Sequence, residues 1–429
     1  MIRYLKLERF KNFQEATLPM GPFTVLVGTN ASGKSNLRDA FRVLHGLSRG
    51  YTIAETLGEK WIEGGVLQWR GIRGGTREAA FHGAQSFALE LGFTLEPEGL
   101  RQEVVYRIEV NVGSTLAPPH VQAEQLSISG QKNPIYTARR ERSLEDENSF
   151  ELRLGYDGLP PEEADQGPSF PYGDDRPALR RIVVDQDFYQ PEVKRYASAI
   201  IHALESMRFL DLSPEAMRIP SLPGQTILGD RGENLSSVLQ AICQSESTRN
   251  GLVEWVRALT PLDVVDFEFV PDQIGRLLVT LVEQGGKRVS AYSASDGTLR
   301  FLAIIAALLG PHPASFYFFE ELENGIHPTR LHLLTSLIER KVSQGSIQVV
   351  ASSHSPQLLG MLGPESLEHA SLVYRPEGSP GARIRRILDI PEASRVIREQ
   401  APADLHASGW FEDAVAFVEG ADSQSESTP

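Results

Sequence analysis

The fold of this chain is decided by the stretch Gly28-Thr29-Asn30-Ala31-Ser32-Gly33-Lys34-Ser35, which matches G-x-x-x-x-G-K-[ST] at every fixed position. An apolar, β-rich run, 23–27, precedes it, and residues with apolar positions at helical spacing, 36–44, follow it. Strand, glycine loop and helix are the context in which this pattern binds phosphates, because backbone N–H groups turn inward and the helix N-terminus adds partial positive charge. A chance glycine turn is the alternative, and this context disfavours it.

Two side chains of the loop have predicted roles in nucleotide binding. Lys34 is expected to reach the β- and γ-phosphates, and the Ser35 hydroxyl is expected to ligate Mg²⁺. The remaining predicted nucleotide contacts in and beside the loop come from Asn30, Ala31, Ser32, Gly33 and Asn36.

Composition narrows the class of protein. The chain has 429 residues, 41% of them hydrophobic, which suits two or three domain-sized cores. A single cysteine, Cys243, excludes an internal disulfide framework and a zinc site built from cysteines, and it indicates a reducing cytoplasm. No window approaches the roughly 18–20 apolar residues of a membrane span, and the N-terminus lacks the apolar core of a signal peptide. We therefore expect a cytoplasmic protein with no membrane segment.

The net charge of −14 argues against a surface that is basic throughout, but it leaves a local basic groove open. Arginine-rich segments occur at 139–142, 180–181 and 383–386. Each is short and flanked by acidic or apolar residues, so solvated faces explain them better than a nucleic-acid site does. Binding of DNA or RNA stays open.

The order of predicted elements indicates two kinds of sheet. A hairpin over 1–18 precedes the P-loop strand, and turns dominate the glycine-rich stretch 50–78. Alternating apolar residues predict an antiparallel sheet over 80–155, and a polar, Pro-rich loop follows at 157–178. Helical spacing over 190–260 predicts helices, one of which includes Met207. A β-pair over 264–282 is followed by alternating helices and strands at 298–309, 315–320, 328–342 and 346–351, which predict a parallel sheet with flanking helices.

Two carboxylates follow the apolar run 316–319 and supply a second half of the predicted site. Nucleotide hydrolysis needs carboxylates for the metal and for the attacking water. Glu320 and Glu321 stand at the end of this run, where ligands bind in open α/β sheets. We assign Glu320 to the metal and Glu321 to orienting or deprotonating water. A pair of surface acids is the alternative, which four preceding aromatic residues disfavour.

Two more segments lie where a nucleotide could be sensed. His354 follows the buried run 346–351, and a histidine there can contact a γ-phosphate, although a lone histidine is more often structural. Ser295, Asp296 and Gly297 precede an apolar helix, whose N-terminus can bind anions. From spacing alone, an ordinary Ser or Asp N-cap explains this second segment slightly better.

Taken in order, these motifs resemble those of the ABC-type ATPase heads of the RecF/SMC/OLD group, especially the stand-alone AAA-type ATPases tied to bacterial defence. The resemblance rests on the P-loop and on the segments 295–298, 319–328 and 353–356. It implies an α/β fold, the P-loop NTPase ABC-ATPase head, with a mixed or parallel sheet, flanking helices, an antiparallel β subdomain and a helical insertion. The implied regions are an N-terminal ATPase lobe at 1–156, a loop and helical insertion at 157–262, a C-terminal ATPase lobe at 263–392, and a helix with a disordered tail at 393–429.

The resemblance also implies residue roles and the cofactors ATP and Mg²⁺. Glu320 becomes the Walker B residue, Glu321 the catalytic base and His354 the switch histidine, with Lys34 acting on the phosphates. Residues 295–298 correspond to the ABC signature, which in the family contacts ATP bound to the opposite protomer, and 324–327 to the D-loop at the dimer seam. Nucleotide contacts are further implied for Lys11 and Asn12, and Gln68 is the candidate Q-loop residue and metal ligand.

Departures from the family pattern argue against some of the functions found in this group. Glu320 replaces the usual Asp, and Asp296 and Thr298 stand where transport proteins have Gly and Gln, which argues against a transporter subunit. The sequence has neither coiled-coil arms nor, after about residue 390, the length of a Toprim nuclease domain. We therefore expect a slow ATPase that forms an ATP-sandwiched homodimer or a higher oligomer and regulates a separate effector in a defence-type system. A RecF-like, ATP-dependent DNA-repair protein and a slow or inactive nucleotide-dependent scaffold are the alternatives.

Overall fold

A computed structural model describes residues 1–96, 99, 101–114, 117–142, 150–156, 172–188, 190–376 and 378–390, with a few positions beyond them at 393, 395, 404, 408–410 and 413–415. Its strands, in chain order, are β1 (Ile2–Phe10), β2 (Phe13–Pro19), β3 (Phe23–Val27), β4 (Glu59–Ile62), β5 (Val66–Arg70), β6 (Ser86–Leu95), β7 (Gln102–Asn111), β8 (His120–Ile128), β9 (Tyr136–Arg142), β10 (Phe150–Tyr156), β11 (Tyr172–Gly173), β12 (Met207–Leu210), β13 (Val264–Pro271), β14 (Leu277–Glu283), β15 (Arg288–Ser290), β16 (Phe316–Phe319), β17 (Gln348–Ser353), β18 (Ala370–Tyr374) and β19 (Arg383–Arg386).

Its helices are α1 (Lys34–Ser48), α2 (Ile53–Leu57), α3 (Ala178–Val184), α4 (Pro191–Glu205), α5 (Pro214–Met217), α6 (Leu235–Ile242), α7 (Glu246–Leu259), α8 (Asp296–Leu309), α9 (Pro328–Val342), α10 (Pro356–Leu359) and α11 (Pro364–Leu367). The chain divides into two units. The first comprises Met1–Gly21, Gly28–Ser206 and Val373–Arg385, and the second comprises Pro22–Val27, Met207–Leu372 and Arg386–Pro429.

An antiparallel sheet of eight strands forms the framework of the first unit, in the order β11-β10-β9-β8-β7-β6-β1-β2. Its strands form because apolar residues alternate along them: Leu5, Leu7 and Phe10 of β1 are fully buried, and the residues between them are more exposed. Helix α1 packs against α4 in the same unit.

A buried carboxylate, Glu124 of β8, ties this sheet to the N-terminus of α3. Its Oε1 accepts hydrogen bonds from the hydroxyls of Tyr106 (3.0 Å) and Tyr136 (2.8 Å) and from the N–H of Leu179, while its Oε2 accepts the N–H of Ala178 at 2.6 Å. Burial raises the pKa of Glu124, and the hydrogen bonds oppose that shift. The carboxylate thus satisfies N–H groups of a helix terminus that has no capping side chain at Pro177.

Parallel strands form the centre of the second unit, in the order β12-β16-β17-β3-β18. Every residue of β3, β16, β17 and β18 is buried, as expected of strands covered on both faces. Helix α9 packs on β17 and β3, while α6 packs on α8 and on β14 of a separate antiparallel sheet, β13-β14-β15. The predicted α/β class, with a parallel sheet, flanking helices and an antiparallel β subdomain, is confirmed.

Two local predictions were wrong. The stretch 50–78 is not mainly turns, because Thr52 and Glu55 form a capping box that starts α2, and β4 and β5 then pair. Met207 does not continue α4 but begins β12, which pairs with β16.

Other predictions stay untested or lie outside the described residues. The Pro-rich loop at 157–178 falls mostly on residues that the structure does not describe, as does the helix predicted near 394–400. The predicted domain boundaries stay a prediction. Among the described residues, no helix has both the length and the apolar character needed to cross a membrane.

Candidate phosphate-binding and catalytic site

The P-loop follows β3 directly and turns tightly at its first glycine. Gly28 has φ +148°, and a Cβ at this position would lie 2.1 Å from the carbonyl oxygen of Val373, so no other residue fits. Thr29, Asn30 and Ala31 are exposed at the tip of the loop, and Ala31 has a positive φ of 63°. The backbone of the loop is therefore held in a conformation that presents its tip outward.

Lys34 folds back over the loop that it follows. Its Nζ donates hydrogen bonds to the carbonyl oxygens of Gly28 (2.6 Å) and Thr29 (2.9 Å), and the residue is only 5% exposed. An ammonium group that is already turned toward the loop needs only a small movement to contact an anion there.

Two observations test whether the loop suits a phosphate group. Ser32 is 3% exposed, and its Oγ has no hydrogen-bond partner among the described residues. Helix α1 begins at Lys34 with Gly33 at the N-cap, so no side chain caps its first N–H groups. An unpaired buried hydroxyl and an uncapped helix N-terminus are groups that phosphate oxygens can satisfy, so the residues present fit the phosphates of ATP.

Asn12 holds the loop, and Lys11 contacts the helix that follows it. The Asn12 side chain donates to the carbonyl oxygen of Ser32 (3.1 Å) and accepts from the side chain of Asn36 (2.7 Å). The Lys11 Nζ lies 2.9 Å from a carboxylate oxygen of Asp39 on α1, and both side chains are almost fully buried. Direct contact of Asn12 and Lys11 with nucleotide stays a prediction.

Gln68 lies on β5, and its side chain is exposed. The next residue, Trp69, faces inward and donates its Nε1–H to the carbonyl oxygen of Thr56 at 3.1 Å. This alternation explains why Gln68 points to the surface. Its assignment as the Q-loop residue and metal ligand stays a prediction.

In the second unit, three strands end at the same edge of the parallel sheet. Val27 of β3 is in register with Ser353 of β17, and Phe319 of β16 is in register with Ala351 of β17. The chain continues from these strands into the P-loop, into Glu320 and into His354. The carboxyl ends of β3, β16 and β17 therefore lie at one edge of this sheet.

Glu321 occupies a turn that separates it from the strand. It has a positive φ of 47°, and its N–H donates to Ser352 Oγ at 3.1 Å. Its carboxylate is half exposed, accepts a hydrogen bond from Asn324 at 3.2 Å and lies 3.9 Å from His354 Nε2. Positive φ is uncommon for residues with a side chain and often marks functional sites, so this turn is consistent with a specific role for Glu321.

Glu320 is half buried at the carboxyl end of β16, and its N–H donates to the carbonyl oxygen of Leu210 at 3.3 Å. Among the described residues there is no group of three or more His, Cys, Asp or Glu side chains that could hold a metal. Mg²⁺ usually takes one or two carboxylates and completes its shell with phosphate oxygens and water. The predicted donors, Glu320 and the Ser35 hydroxyl, are oxygen ligands of the kind that Mg²⁺ prefers.

The segment 295–298 forms an ordinary N-cap in this chain. Ser295 Oγ accepts the N–H of Thr298 at 3.2 Å and starts α8. Asp296 is exposed and pairs with Arg218, with an oxygen to nitrogen distance of 2.7 Å. The simpler alternative for Ser295 is what the structure shows, and contact of this segment with ATP of a second protomer stays a prediction.

Gly297 packs directly against the turn that follows Glu321. A Cβ on Gly297 would lie 2.4 Å from the carbonyl oxygen of Gly325. Since the obstructing atom belongs to the backbone, the two segments would have to separate to admit a side chain.

We expect Gly297→Ala to lower stability by roughly 1–3 kcal/mol, the usual cost of overpacking, and to reduce ATP turnover. Gly251→Ala is the matched control, because Gly251 lies within α7 and a Cβ added there would meet no other atom within 4 Å. That control is expected to gain about 0.5–1 kcal/mol from helix propensity. Urea unfolding of both variants measures the difference, and equal stability of the two would contradict the packing argument.

The sequence of the chain matches a known protein family, and its structure resembles solved structures. Residues 23–360 match the family described as "AAA domain, putative AbiEii toxin, Type IV TA system". No curated protein matches the sequence. The solved structures that resemble the chain include an Smc head bound to the C-winged helix domain of ScpA, with 15% identity, a TM-score of 0.49, and coverage of 90% of this chain and 97% of that one.

Two further solved structures have lower TM-scores. The SMC head domain from Thermotoga maritima has 13% identity and a TM-score of 0.41, with coverage of 90% of this chain and 98% of that chain. The Smc head domain with an extended coiled coil from Pyrococcus furiosus, bound to the C-terminal domain of ScpA, has 13% identity and a TM-score of 0.46, with coverage of 93% and 98%. The family match by itself spans well over half of the chain, which therefore belongs to this AAA domain family of P-loop ATPases.

Proposed function

We propose that this chain binds ATP with Mg²⁺ and hydrolyses it slowly, and that ATP binding joins two copies into a dimer that regulates a separate effector. One observation carries the proposal: β3, β16 and β17 end at the same edge of one sheet, and the chain continues from them into the P-loop, the Glu320–Glu321 pair and His354. Ligands of open α/β sheets bind beyond the carboxyl ends of such strands.

Each residue has a proposed role in hydrolysis. The P-loop N–H groups and Lys34 bind the β- and γ-phosphates, and Ser35 and Glu320 hold Mg²⁺, which neutralises charge on the phosphate oxygens. Glu321 orients or deprotonates the attacking water, since its carboxylate is half exposed and can reach solvent. His354 contacts the γ-phosphate next to this water. The distance of 3.9 Å between Glu321 and His354 supports their action on one reacting group.

The proposed dimer places residues 295–298 of one copy over the nucleotide of the other. The exposed N-terminus of α8 supports this role, since a helix N-terminus favours anions. The negative charge of Asp296 repels an anion, and the ion pair between Asp296 and Arg218 offsets this negative charge. Mass photometry distinguishes a dimer from a larger assembly.

A separate protein partner is proposed because the family description names a putative toxin of a type IV TA system, a kind of system with a second component, and the effector is proposed to be that partner. Direct nucleic-acid binding is less well supported. Arginines of the basic segments form ion pairs: Arg140 with Asp174, Arg180 with Glu205, Arg181 with Asp175, and Arg386 with Asp389. This pairing reduces the positive charge that they can offer to phosphates of a nucleic-acid backbone.

Mass photometry with and without Mg-ATP tests the proposed assembly. We expect Glu321→Gln to shift from the 47.4 kDa monomer to twice that mass when ATP is added, because bound ATP persists. Adding Ser295→Arg to Glu321→Gln is expected to abolish the shift without preventing ATP binding. Ser336→Arg, on an exposed position of α9, is the matched control.

ATP binding without any change of mass would contradict the dimer. A pull-down from the native host, repeated with ATP, identifies the effector. DNA affinity that depends on both ATP and salt, in the absence of any protein partner, would favour the DNA-repair function instead.

A further inference from the structure

Glu323 lies in the turn after β16, two residues beyond Glu321, and its side chain extends to the loop that follows β17. Its Oε1 accepts the N–H of His354 at 2.7 Å and the N–H of Ser355 at 3.0 Å. One carboxylate oxygen therefore holds two consecutive N–H groups of the loop that carries His354. Hydrogen bonds to an ionised acceptor are shorter and roughly twice as strong as neutral ones.

The same two segments are joined at a second point. Ser352 accepts the N–H of Glu321 through its Oγ (3.1 Å) and the N–H of Leu322 through its carbonyl oxygen (3.1 Å). The turn with Glu321 is thus fixed to β17, and the loop with His354 is fixed to Glu323. These contacts set the relative position of the Glu321 carboxylate and the His354 ring.

The two carboxylate oxygens of Glu323 differ in their contacts. Oε1 makes both hydrogen bonds to the loop that carries His354, whereas Oε2 is buried and has no hydrogen-bond partner among the described residues. Buried polar atoms are usually hydrogen-bonded, so the unpaired oxygen is an unusual feature of a residue beside the candidate site.

We propose that Glu323 is a positioning residue for ATP hydrolysis, which acts through His354 by fixing the backbone at His354 and Ser355. The inference rests on the proposed ATPase function. It assigns the carboxylate no contact with the nucleotide. Its effect is to keep the His354 ring at the distance from Glu321 that hydrolysis requires.

A double-mutant cycle on the full-length chain tests this role. We expect Glu323→Ala to lower kcat for Mg-ATP roughly 10–100-fold, with KM changed less than about threefold, since small displacements of a reacting group can cost about 10²-fold. Glu323→Gln keeps an acceptor oxygen and is expected to recover most of the activity. In a His354→Ala background, Glu323→Ala is expected to change kcat less than about twofold, because its effect passes through the removed ring.

Glu339→Ala is the matched control, since the Glu339 Oε1 likewise accepts a backbone N–H, that of Gly363, and the hydroxyl of Ser366 in the same unit. It is expected to lower the melting temperature and to leave kcat unchanged.

Two results would overturn the inference without affecting the proposed ATPase function. One is that Glu323→Ala lowers kcat by the same factor in the wild-type chain and in the His354→Ala chain. The other is that Glu339→Ala lowers kcat as much as Glu323→Ala does. If the wild-type chain shows no ATP turnover, the proposed function fails, and the inference fails with it. If Glu323→Ala does not fold, the same cycle with Glu323→Asp decides, because the shorter side chain withdraws the acceptor oxygen from the N–H groups of His354 and Ser355 and is expected to lower kcat in the same way.

Discussion

Replacing Glu321 by Gln is expected to lower kcat for ATP hydrolysis by about 10²–10⁴-fold, the range that a positioned general base contributes. Gln retains the length and one acceptor oxygen of the side chain, so the contact with Asn324 is preserved and the fold is expected to stay intact. The dissociation constant for ATP should change little, because the proposed role of Glu321 is to act on water rather than on the nucleotide. Phosphate release under saturating ATP, together with a fluorescent-nucleotide titration, measures the two quantities separately.

Glu254→Gln provides the control for Glu321→Gln, since Glu254 is an exposed glutamate on α7 of the same unit. It is expected to keep wild-type kcat. If Glu321→Gln also retains turnover, another group activates the water and the assigned base is wrong. If the wild-type chain binds ATP but turns over no faster than Glu321→Gln, the scaffold function is favoured.

Replacing Lys34 by Ala is expected to weaken ATP binding roughly 10–150-fold, which corresponds to the loss of a charge-assisted contact of about 1.5–3 kcal/mol. The Nζ of Lys34 already lies over the loop, hydrogen-bonded to two of its carbonyl oxygens. Its removal is expected to take away positive charge at the proposed phosphate site and to loosen the loop. Isothermal titration with a slowly hydrolysed ATP analogue measures the affinity, and a melting curve checks the fold.

Lys287→Ala is the matched control for Lys34→Ala, because Lys287 is a largely exposed lysine paired with Glu283. Lys287→Ala is expected to leave the ATP affinity unchanged. An unchanged affinity in Lys34→Ala would contradict the assignment of Lys34 to the phosphates. A fall in melting temperature without any fall in affinity would show that Lys34 serves only to support the loop.

Secondary structure was predictable wherever one physical signal dominated. The strands β3, β16 and β17 are continuous apolar runs, and such runs have few stable alternatives to a buried sheet. Prediction failed where pairing with a distant strand decided the outcome. Met207 fits the helical spacing of α4 equally well, and only its pairing beside Phe316 makes it part of β12. The Thr52 to Glu55 capping box was a local signal that the glycine-rich surroundings obscured.

The strand ends that carry the candidate site were predictable, but the contacts that support them were not. Glu320, Glu321 and His354 were proposed as site residues because polar residues follow buried strands, a pattern visible along the chain. The contacts of Asn12 with Ser32 and of Glu323 with His354 join residues about twenty and thirty positions apart. No local periodicity reports such contacts, since they depend on which turns the folded backbone brings together.

The sequence by itself determined the phosphate-binding loop, the α/β class and the residue types at the strand ends, because these depend on local pattern and composition. Only the tertiary structure decided which groups those residues contact. In the folded chain, Glu321 lies in a turn after β16 with a positive φ, and Ser295 caps a helix. The loop with His354 is hydrogen-bonded to Glu323. The reason is that hydrogen bonds between distant turns depend on how the parallel sheet aligns its strand ends, and no local pattern reports that alignment.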